Sequence, residues 1–136
     1  MKKVIETTEA EGLEKLLGER VTLFCMNYFY TGDLIGVNED CVLLNSSRVR
    51  MRPEQRHSNL RGHVHGGALL GFIDVALFAA GRGLGVLTVG TAMTLDLSTQ
   101  FIAGADLSKP VEARIELLRE TGRLLFLRGL VVQEDM

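Results

Sequence analysis

Cysteine and proline are rare in this chain, tryptophan is absent, and neither sign of charge predominates. The two cysteines, Cys25 and Cys41, match no metal-binding or redox spacing, so neither a zinc site nor a disulfide framework is predicted. A formal net charge of −2 at pH 7 excludes the basic footprint of a nucleic-acid-binding protein. The residues after Met1 include Glu6 and Glu9 instead of an apolar run, so no signal peptide is expected. A reduced, cytoplasmic setting is therefore the expectation.

A long uninterrupted apolar run is missing as well. The longest mostly apolar stretch, Val64 to Gly81, contains His65 and Asp74 and is short for a membrane span, so no membrane partner is expected. The arginines within residues 48–52 alternate with apolar residues, which indicates the solvent-facing side of a strand. With 136 residues, 46% of them hydrophobic, the chain has the size and composition of one domain with its own core.

The spacing of apolar residues predicts two helices and several strands. Turns are expected at Thr31–Asp33 and at Glu120–Gly122. The second helix is almost wholly apolar and needs cover, so the strands are expected to form an antiparallel sheet that wraps around it in an α+β fold. The predicted helices span residues 8–17 and 65–81, and the predicted strands span residues 21–30, 34–37, 41–45, 49–53, 91–101, 111–117 and 124–133.

A glycine-rich turn opens the second helix, and a single carboxylate, Asp74, lies on that helix. A lone charge in an apolar wall costs on the order of several kcal/mol unless it is paired, neutralised or used. Gly66 and Gly67 let a ligand approach the backbone N–H groups at the helix start, which can stabilise an oxyanion. A desolvated carboxylate can act as a base or as a nucleophile. Together these features suit the hydrolysis of an acyl compound.

These residues also resemble a known family. Asn59, the turn His65-Gly66-Gly67, Asp74 on the helix and the strand that ends in Phe101 are similar to the hotdog-fold acyl-CoA thioesterases of the phenylacetate-degradation type. The resemblance covers residues 48–133. It implies a single hotdog domain over residues 1–136, with a curved antiparallel sheet around one long central helix, and an acyl-CoA substrate.

The resemblance also implies roles for individual residues. The Gly66 amide and Asn59 would hold the thioester oxygen, Asp74 would activate water or attack, and Thr94 matches a hydroxyl position that can hold the water. Gly67 would lie at the substrate. His65 is expected to be a helix-start residue with a structural hydrogen bond, because the family does not require it as the base. The expected acyl pocket lies beside Phe72, Ile73 and Phe78, which favours an aryl or medium-length acyl group.

Each of these residues has a simpler alternative role. Asn59 can be an ordinary loop residue, Thr94 an ordinary strand residue, and Asp74 can be purely structural. The three histidines of residues 57–65 have no nearby cysteine and lie on a glycine-containing loop, so no metal site is predicted. No cofactor is expected.

The spacing along the helix has a consequence for the oligomeric state. Gly66 and Asp74 are eight residues apart, which is about 12 Å along a helix axis. Gly66 and Asp74 of one chain therefore cannot both contact the same carbonyl carbon. The two residues can cooperate only when Asp74 comes from another subunit. A two-fold homodimer with two identical sites is therefore predicted, and the resemblance implies that such dimers often pair into a homotetramer.

The chain departs from the family pattern in two places. The family usually has one more strand after the one that matches residues 124–133, and residues 1–47 form an atypical amino-terminal helix and strands. A junction of two unrelated segments near residues 44–48 is one hypothesis for this mismatch. Two further functions stay open: a non-catalytic module that binds acyl-CoA or an acyl carrier, and a structural protein with a vestigial site.

Overall fold

A computed structural model describes residues 12–25, 28–37, 42–88 and 90–133 of the chain. The elements combine one sheet with one long helix, which is the predicted α+β class. In chain order they are a short 3-10 helix at Gly12–Leu16, β1 at Arg20–Cys25, β2 at Tyr28–Val37, β3 at Val42–Met51, a 3-10 turn at Gln55–His57, α1 at Gly66–Gly83, β4 at Val111–Glu120 and β5 at Leu125–Val132.

The five strands form one antiparallel sheet in the order β1-β2-β3-β4-β5. The two halves of the chain meet where β3 pairs with β4, with Val49 opposite Ala113 and Met51 opposite Val111. β3 runs unbroken through residues 44–48. The foreign-segment hypothesis for the amino-terminal third stays a prediction, and the part of the first predicted helix before Gly12 lies outside the described residues.

One stripe of α1 packs on the sheet, mainly on β3 and β4. Buried residues recur along this stripe at helical spacing, so the sheet covers a single face of a helix that is apolar on most of its surface. Each large apolar side chain that is fully buried here stabilises the fold by roughly 2 kcal/mol relative to exposure. The stripe consists of Leu69, Phe72, Ala76 and Ala80, and the sheet side of the core consists of Val49, Met51, Val111, Ala113 and Ile115.

Five of the 18 residues of α1 are buried within the chain, so the sheet covers only one side of the helix. By length and composition α1 is apolar enough to cross a membrane, a test that the core helices of other proteins also pass. Most of the remaining helix surface is half-buried.

Glu112 is a buried carboxylate on the sheet. It alternates with Val111 and Ala113 along β4, and its side chain therefore projects from the other face, yet the residue is only 6% exposed. Arg50 Nε donates to its Oε2 at 2.5 Å and Arg114 Nε donates to its Oε1 at 2.7 Å. Burial raises the pKa of Glu112, but these hydrogen bonds and the two positive charges outweigh it, so the pKa lies below the ordinary 4.5.

The amino-terminal strands differ from the prediction in their bounds. Residues Thr31–Asp33, predicted as a turn, lie inside β2, where the pairing with β3 shifts register. The Thr22 and Thr31 hydroxyls are hydrogen-bonded at 2.9 Å across β1 and β2, so the strand continues past the predicted turn. The two strands predicted over residues 41–45 and 49–53 are joined in one strand, β3, which ends at Met51 and pairs with β2 on both sides of a register shift; residue 41 lies outside the described residues.

The predicted strand at residues 91–101 belongs to no strand of the sheet. The edge strands β1 and β5 each pair with one neighbour of the sheet, so in the described part of the chain no strand offers this segment a hydrogen-bonded ladder. The segment instead contacts α1. Met93 and Leu95 are 77% and 74% exposed, so an alternating apolar pattern typical of a strand lies on the surface.

Candidate active site

His65 caps the amino terminus of α1. Its backbone is extended and its Nδ1 accepts a hydrogen bond from the Gly67 N–H at 2.9 Å, which satisfies one of the unpaired amides of the first turn. A Cβ added at Gly67 would lie 3.1 Å from that Nδ1, so glycine gives the ring room to fold back. His65 therefore has the structural hydrogen bond expected of it, and the Gly67 amide is occupied by the cap.

The Gly66 amide is the free donor at this helix start. No hydrogen bond to its N–H is present among the described residues, and Gly66 lines a cavity of about 470 Å³ together with Asn59. The ring of Phe101 lies next to Gly66, because a Cβ added at Gly66 would be 3.4 Å from the nearest ring atom. A helix N-terminus is the positive end of the helix dipole, so this amide suits an oxygen that gains negative charge.

Asn59 is held in one orientation by its own loop. Its Oδ1 accepts hydrogen bonds from the Arg61 N–H at 2.9 Å and the His63 N–H at 3.1 Å. Because the oxygen is occupied, the polar group left to a ligand is the amide NH₂, which can only donate. The Asn59 side chain and the Gly66 N–H thus supply two donors to the same cavity.

Asp74 lies at a second cavity, of about 480 Å³, between the carboxyl-terminal half of α1 and strands β1 to β3. The carboxylate is half-buried, and its Oδ1 accepts a hydrogen bond from the Thr94 hydroxyl at 2.5 Å. A hydroxyl has one proton to donate, so toward a water molecule Thr94 can act only as an acceptor. The pair therefore holds a negatively charged, hydrogen-bonded carboxylate at the cavity wall.

The three apolar residues predicted beside the acyl group lie in different places. Phe78 lines the Asp74 cavity. Phe72 is fully buried and its ring stacks with that of Tyr28 at a centroid distance of 6.2 Å, so it contributes to the core and has no surface left for a substrate. Ile73 is half-buried and lines neither cavity.

Within one chain the predicted catalytic residues therefore fall into two groups. Asn59 and Gly66, the donors, share one cavity, whereas Asp74, at the middle of α1 and hydrogen-bonded to Thr94, lines the other. The axial separation of Gly66 and Asp74, about 12 Å, keeps one carbonyl carbon from touching both. In the part of the chain that the structure describes, no three His, Cys, Asp or Glu side chains form a metal-binding group.

Sequence reasoning missed one arginine at the Asp74 cavity, Arg82. Arg82 was detectable, because it follows Asp74 by two intervals of four residues on the same helix. Arg48 also borders the cavity, but its side chain is exposed and lies beside Glu112, as expected for the solvent-facing side of a strand.

The carboxyl-terminal part of the chain matches a known protein family. Residues 61–136 match the family model of the thioesterase superfamily. No curated protein matches the sequence.

Three solved structures illustrate the similarity of the fold. A mutant of the phenylacetic acid degradation protein PaaI from Thermus thermophilus is 21% identical with a TM-score of 0.56, over 90% of this chain and 85% of that one. The Escherichia coli PaaI protein from the phenylacetic acid degradation operon is 17% identical with a TM-score of 0.51, over 93% and 75%. Thioesterase superfamily member 2 from Mus musculus is 13% identical with a TM-score of 0.55, over 90% and 75%.

Proposed function

Because the chain belongs to the thioesterase superfamily, we propose that it hydrolyses acyl-CoA thioesters at a site shared by two subunits. The resemblance found in the sequence is confirmed by that match, and the single long helix on a five-stranded antiparallel sheet is the hotdog fold of the solved relatives. The fold itself hosts more than one function, so the argument for activity rests on the site.

One observation carries the proposal: two oxyanion donors and one carboxylate with complementary chemistry occupy separate cavities of the same chain. Neither group alone is a hydrolytic site. A two-fold axis that brings the Asn59 cavity of one subunit against the Asp74 cavity of the other would complete two identical sites at once. The side of α1 that the sheet does not cover, most of it half-buried and apolar, offers a surface for such an interface.

The proposed reaction assigns a step to each group. The thioester oxygen accepts hydrogen bonds from the Gly66 N–H and the Asn59 NH₂, which stabilise the oxyanion as it forms. Asp74 of the other subunit takes a proton from a water molecule, whose oxygen bonds to the carbonyl carbon, or its carboxylate attacks that carbon directly. The C–S bond then breaks, the electron pair leaves with sulfur, and CoA departs as the thiol. In the first route its proton comes from Asp74; in the second a water molecule splits the acyl–Asp74 anhydride into the free acid and Asp74, and a proton of that water goes to the thiolate.

The Asp74 cavity is the place proposed for the acyl group. Its wall beyond the carboxylate is mostly apolar, with Leu44 and Val49 from the sheet and Val75 and Phe78 from the helix. Apolar walls with few polar groups are typical of small-molecule sites. An aryl or medium-length acyl chain suits this composition.

Hydrolysis of a panel of acyl-CoAs tests the proposal. Acetyl-, octanoyl-, palmitoyl- and phenylacetyl-CoA are compared with wild type and Asp74→Asn, with loss of the thioester followed directly because protein thiols interfere with thiol reagents. Turnover is expected for at least one substrate and is expected to fall about 100-fold or more in Asp74→Asn, as for loss of a general base. Asp96→Asn, the same change at an exposed carboxylate outside the cavity, is the matched control.

Folded wild-type protein that hydrolyses none of the panel would contradict the proposal. Thermal stabilisation by acyl-CoA without turnover would then support a non-catalytic binding module. Absence of both, together with a more stable Asp74→Leu variant, would support a structural protein, because an unused half-buried charge only costs stability.

A further inference from the structure

The Asp74 cavity carries one guanidinium that the proposed hydrolysis does not use. Arg82 lines it, and Asp74 is the only carboxylate among its described lining residues. Anion recognition by guanidinium groups is strong because the planar fork offers two parallel hydrogen bonds to a carboxylate or a phosphate. Arg82 therefore gives this cavity a group that can bind an anionic part of a ligand.

Arg48 also borders the cavity, but its Nη1 lies 3.9 Å from Glu112 Oε1, on the face of the sheet that is turned away from α1, so its charge does not face the cavity. Arg82 is exposed and forms no ion pair within the described residues. Arg82 is thus the guanidinium that a ligand can engage without breaking an existing contact.

The order of residues along α1 gives the cavity a direction. Asp74, Phe78 and Arg82 follow one another at intervals of four residues, so a carboxylate, an aromatic ring and a guanidinium line the same cavity in that order. Asp74 and Arg82 are about 12 Å apart along the helix axis. An acyl group whose reacting carbon lies at Asp74 passes the apolar wall and extends toward Arg82.

On these grounds we propose that the cavity takes acyl groups with a terminal carboxylate, held by Arg82, in preference to simple fatty acyl groups of the same length. This inference rests on the proposed thioesterase function. A carboxylate terminus gains a charge-assisted hydrogen bond to the Arg82 guanidinium, whereas a methyl terminus makes no such bond and leaves the guanidinium to solvent.

Suberoyl-CoA and octanoyl-CoA provide the test, because the two acyl chains have equal carbon number and differ only in the terminal carboxylate. Wild type is expected to have the higher kcat/KM for suberoyl-CoA. The ratio of the two kcat/KM values is expected to fall about tenfold or more in Arg82→Gln, the scale of one hydrogen bond to a charged group. Arg82→Lys is expected to retain part of the preference, since a point charge replaces the fork.

Arg123→Gln is the matched control, because Arg123 is exposed in the β4–β5 turn and lines neither cavity. Its ratio should equal that of wild type. A second source of anions is the phosphate groups of CoA, and N-acetylcysteamine thioesters of suberate and octanoate, which lack phosphates, separate the two. If Arg82 binds the terminal carboxylate, Arg82→Gln lowers the ratio of the two kcat/KM values with these thioesters too. If Arg82 binds a phosphate of CoA, Arg82→Gln lowers kcat/KM equally for both CoA substrates and changes nothing with the N-acetylcysteamine thioesters.

A wild type that hydrolyses octanoyl-CoA as well as suberoyl-CoA, with the ratio unchanged in Arg82→Gln, would overturn the inference and leave the proposed function intact. If no thioester is hydrolysed, equilibrium binding of suberoyl-CoA and octanoyl-CoA by calorimetry decides the matter. Tighter binding of suberoyl-CoA that is lost in Arg82→Gln would support the anionic preference without turnover, and equal binding would overturn it.

Discussion

At the scale of single residues, the carboxylate of Asp74 depends on the hydroxyl of Thr94. The Thr94 hydroxyl donates to Asp74 Oδ1 at 2.5 Å, and the two residues are 20 positions apart in the sequence. This hydrogen bond restrains one oxygen of the carboxylate. Thr94 lies in the segment of residues 91–101 outside the sheet, so no strand ladder among the described residues holds its backbone in place. We infer that Thr94 is a positioning residue for Asp74.

Thr94→Val removes the donor while keeping the branched shape, and we expect it to lower kcat about tenfold or more because a hydrogen bond to a charged group is lost. KM should change little, since Thr94 lines neither cavity. Steady-state kinetics across a pH series provides the measurement, and Thr94→Ser, which keeps the donor, should retain wild-type kcat and its pH profile. Equal kcat values in the Val and Ser variants would show that the bond does not position Asp74.

Glu112 is a residue whose contribution depends on pH. Its pKa is lowered in the folded state, so the charged form stabilises the fold. The contribution is complete above the ordinary pKa of 4.5 and is lost as the pH falls through the lower value in the folded protein. We expect Glu112→Gln to lower the free energy of unfolding by about 2 kcal/mol at neutral pH.

Urea unfolding at neutral and acidic pH measures this effect. The difference between wild type and Glu112→Gln should shrink toward zero as the pH approaches the acidic end, because wild type then becomes protonated as well. Glu120→Gln, an exposed acidic residue at the end of the same strand, is the control and should match wild type throughout. A difference between Glu112→Gln and wild type that stays constant with pH would assign the loss to packing.

At the scale of elements, the segment of residues 91–101 has the pattern of a strand without its partners. Backbone N–H and C=O groups need hydrogen bonds, and here no ladder supplies them within the described chain. We expect its amides to exchange with solvent quickly in dilute, monomeric protein, whereas the amides of the interior strand β4 exchange slowly. Protection should appear at concentrations where subunits associate.

Hydrogen exchange followed by mass spectrometry at two protein concentrations measures this difference. Peptides from β4 provide the internal reference, because β4 pairs on both sides in a single chain. Slow exchange of residues 91–101 in the monomer would mean that the segment has partners within its own chain.

The helix and its cap were predictable because they depend on neighbours in sequence. The prediction of a helix over residues 65–81, with His65 as a helix-start residue, agrees closely with α1 at Gly66–Gly83. Apolar spacing and the need for an amide acceptor are local properties. The Asn59 loop is equally local, since its side chain bonds to amides two and four residues later.

Strand pairing and the cavity walls were less predictable, because they depend on contacts distant in sequence. The turn expected at Thr31–Asp33 is absent because cross-strand pairing continues through it, and the strand expected at residues 91–101 has no neighbouring strand within the described chain. Phe72 and Phe78 look alike in sequence, yet one stacks on Tyr28 in the core and the other lines the cavity. Only the packed arrangement separates their roles.

At the scale of the whole molecule, the proposed site requires two chains, since the donors and the carboxylate of one chain lie in separate cavities. A dimer built from two different inactive variants can therefore regain function. Asp74→Asn keeps the donors of Asn59 and Gly66, whereas Asn59→Ala keeps the carboxylate. In a mixed dimer, one site combines the two intact halves and the other combines the two defects.

We expect each variant alone to be nearly inactive and an equal mixture, refolded together, to recover about a quarter of wild-type activity, because half of the dimers are mixed and each mixed dimer has one intact site. Steady-state hydrolysis of the best acyl-CoA substrate measures the recovery. Asp74→Asn refolded with Asp74→Asn/Asn59→Ala is the control and should recover nothing, since no pairing restores a carboxylate. A first mixture that stays inactive although mixed dimers form would mean that each site is built within one chain.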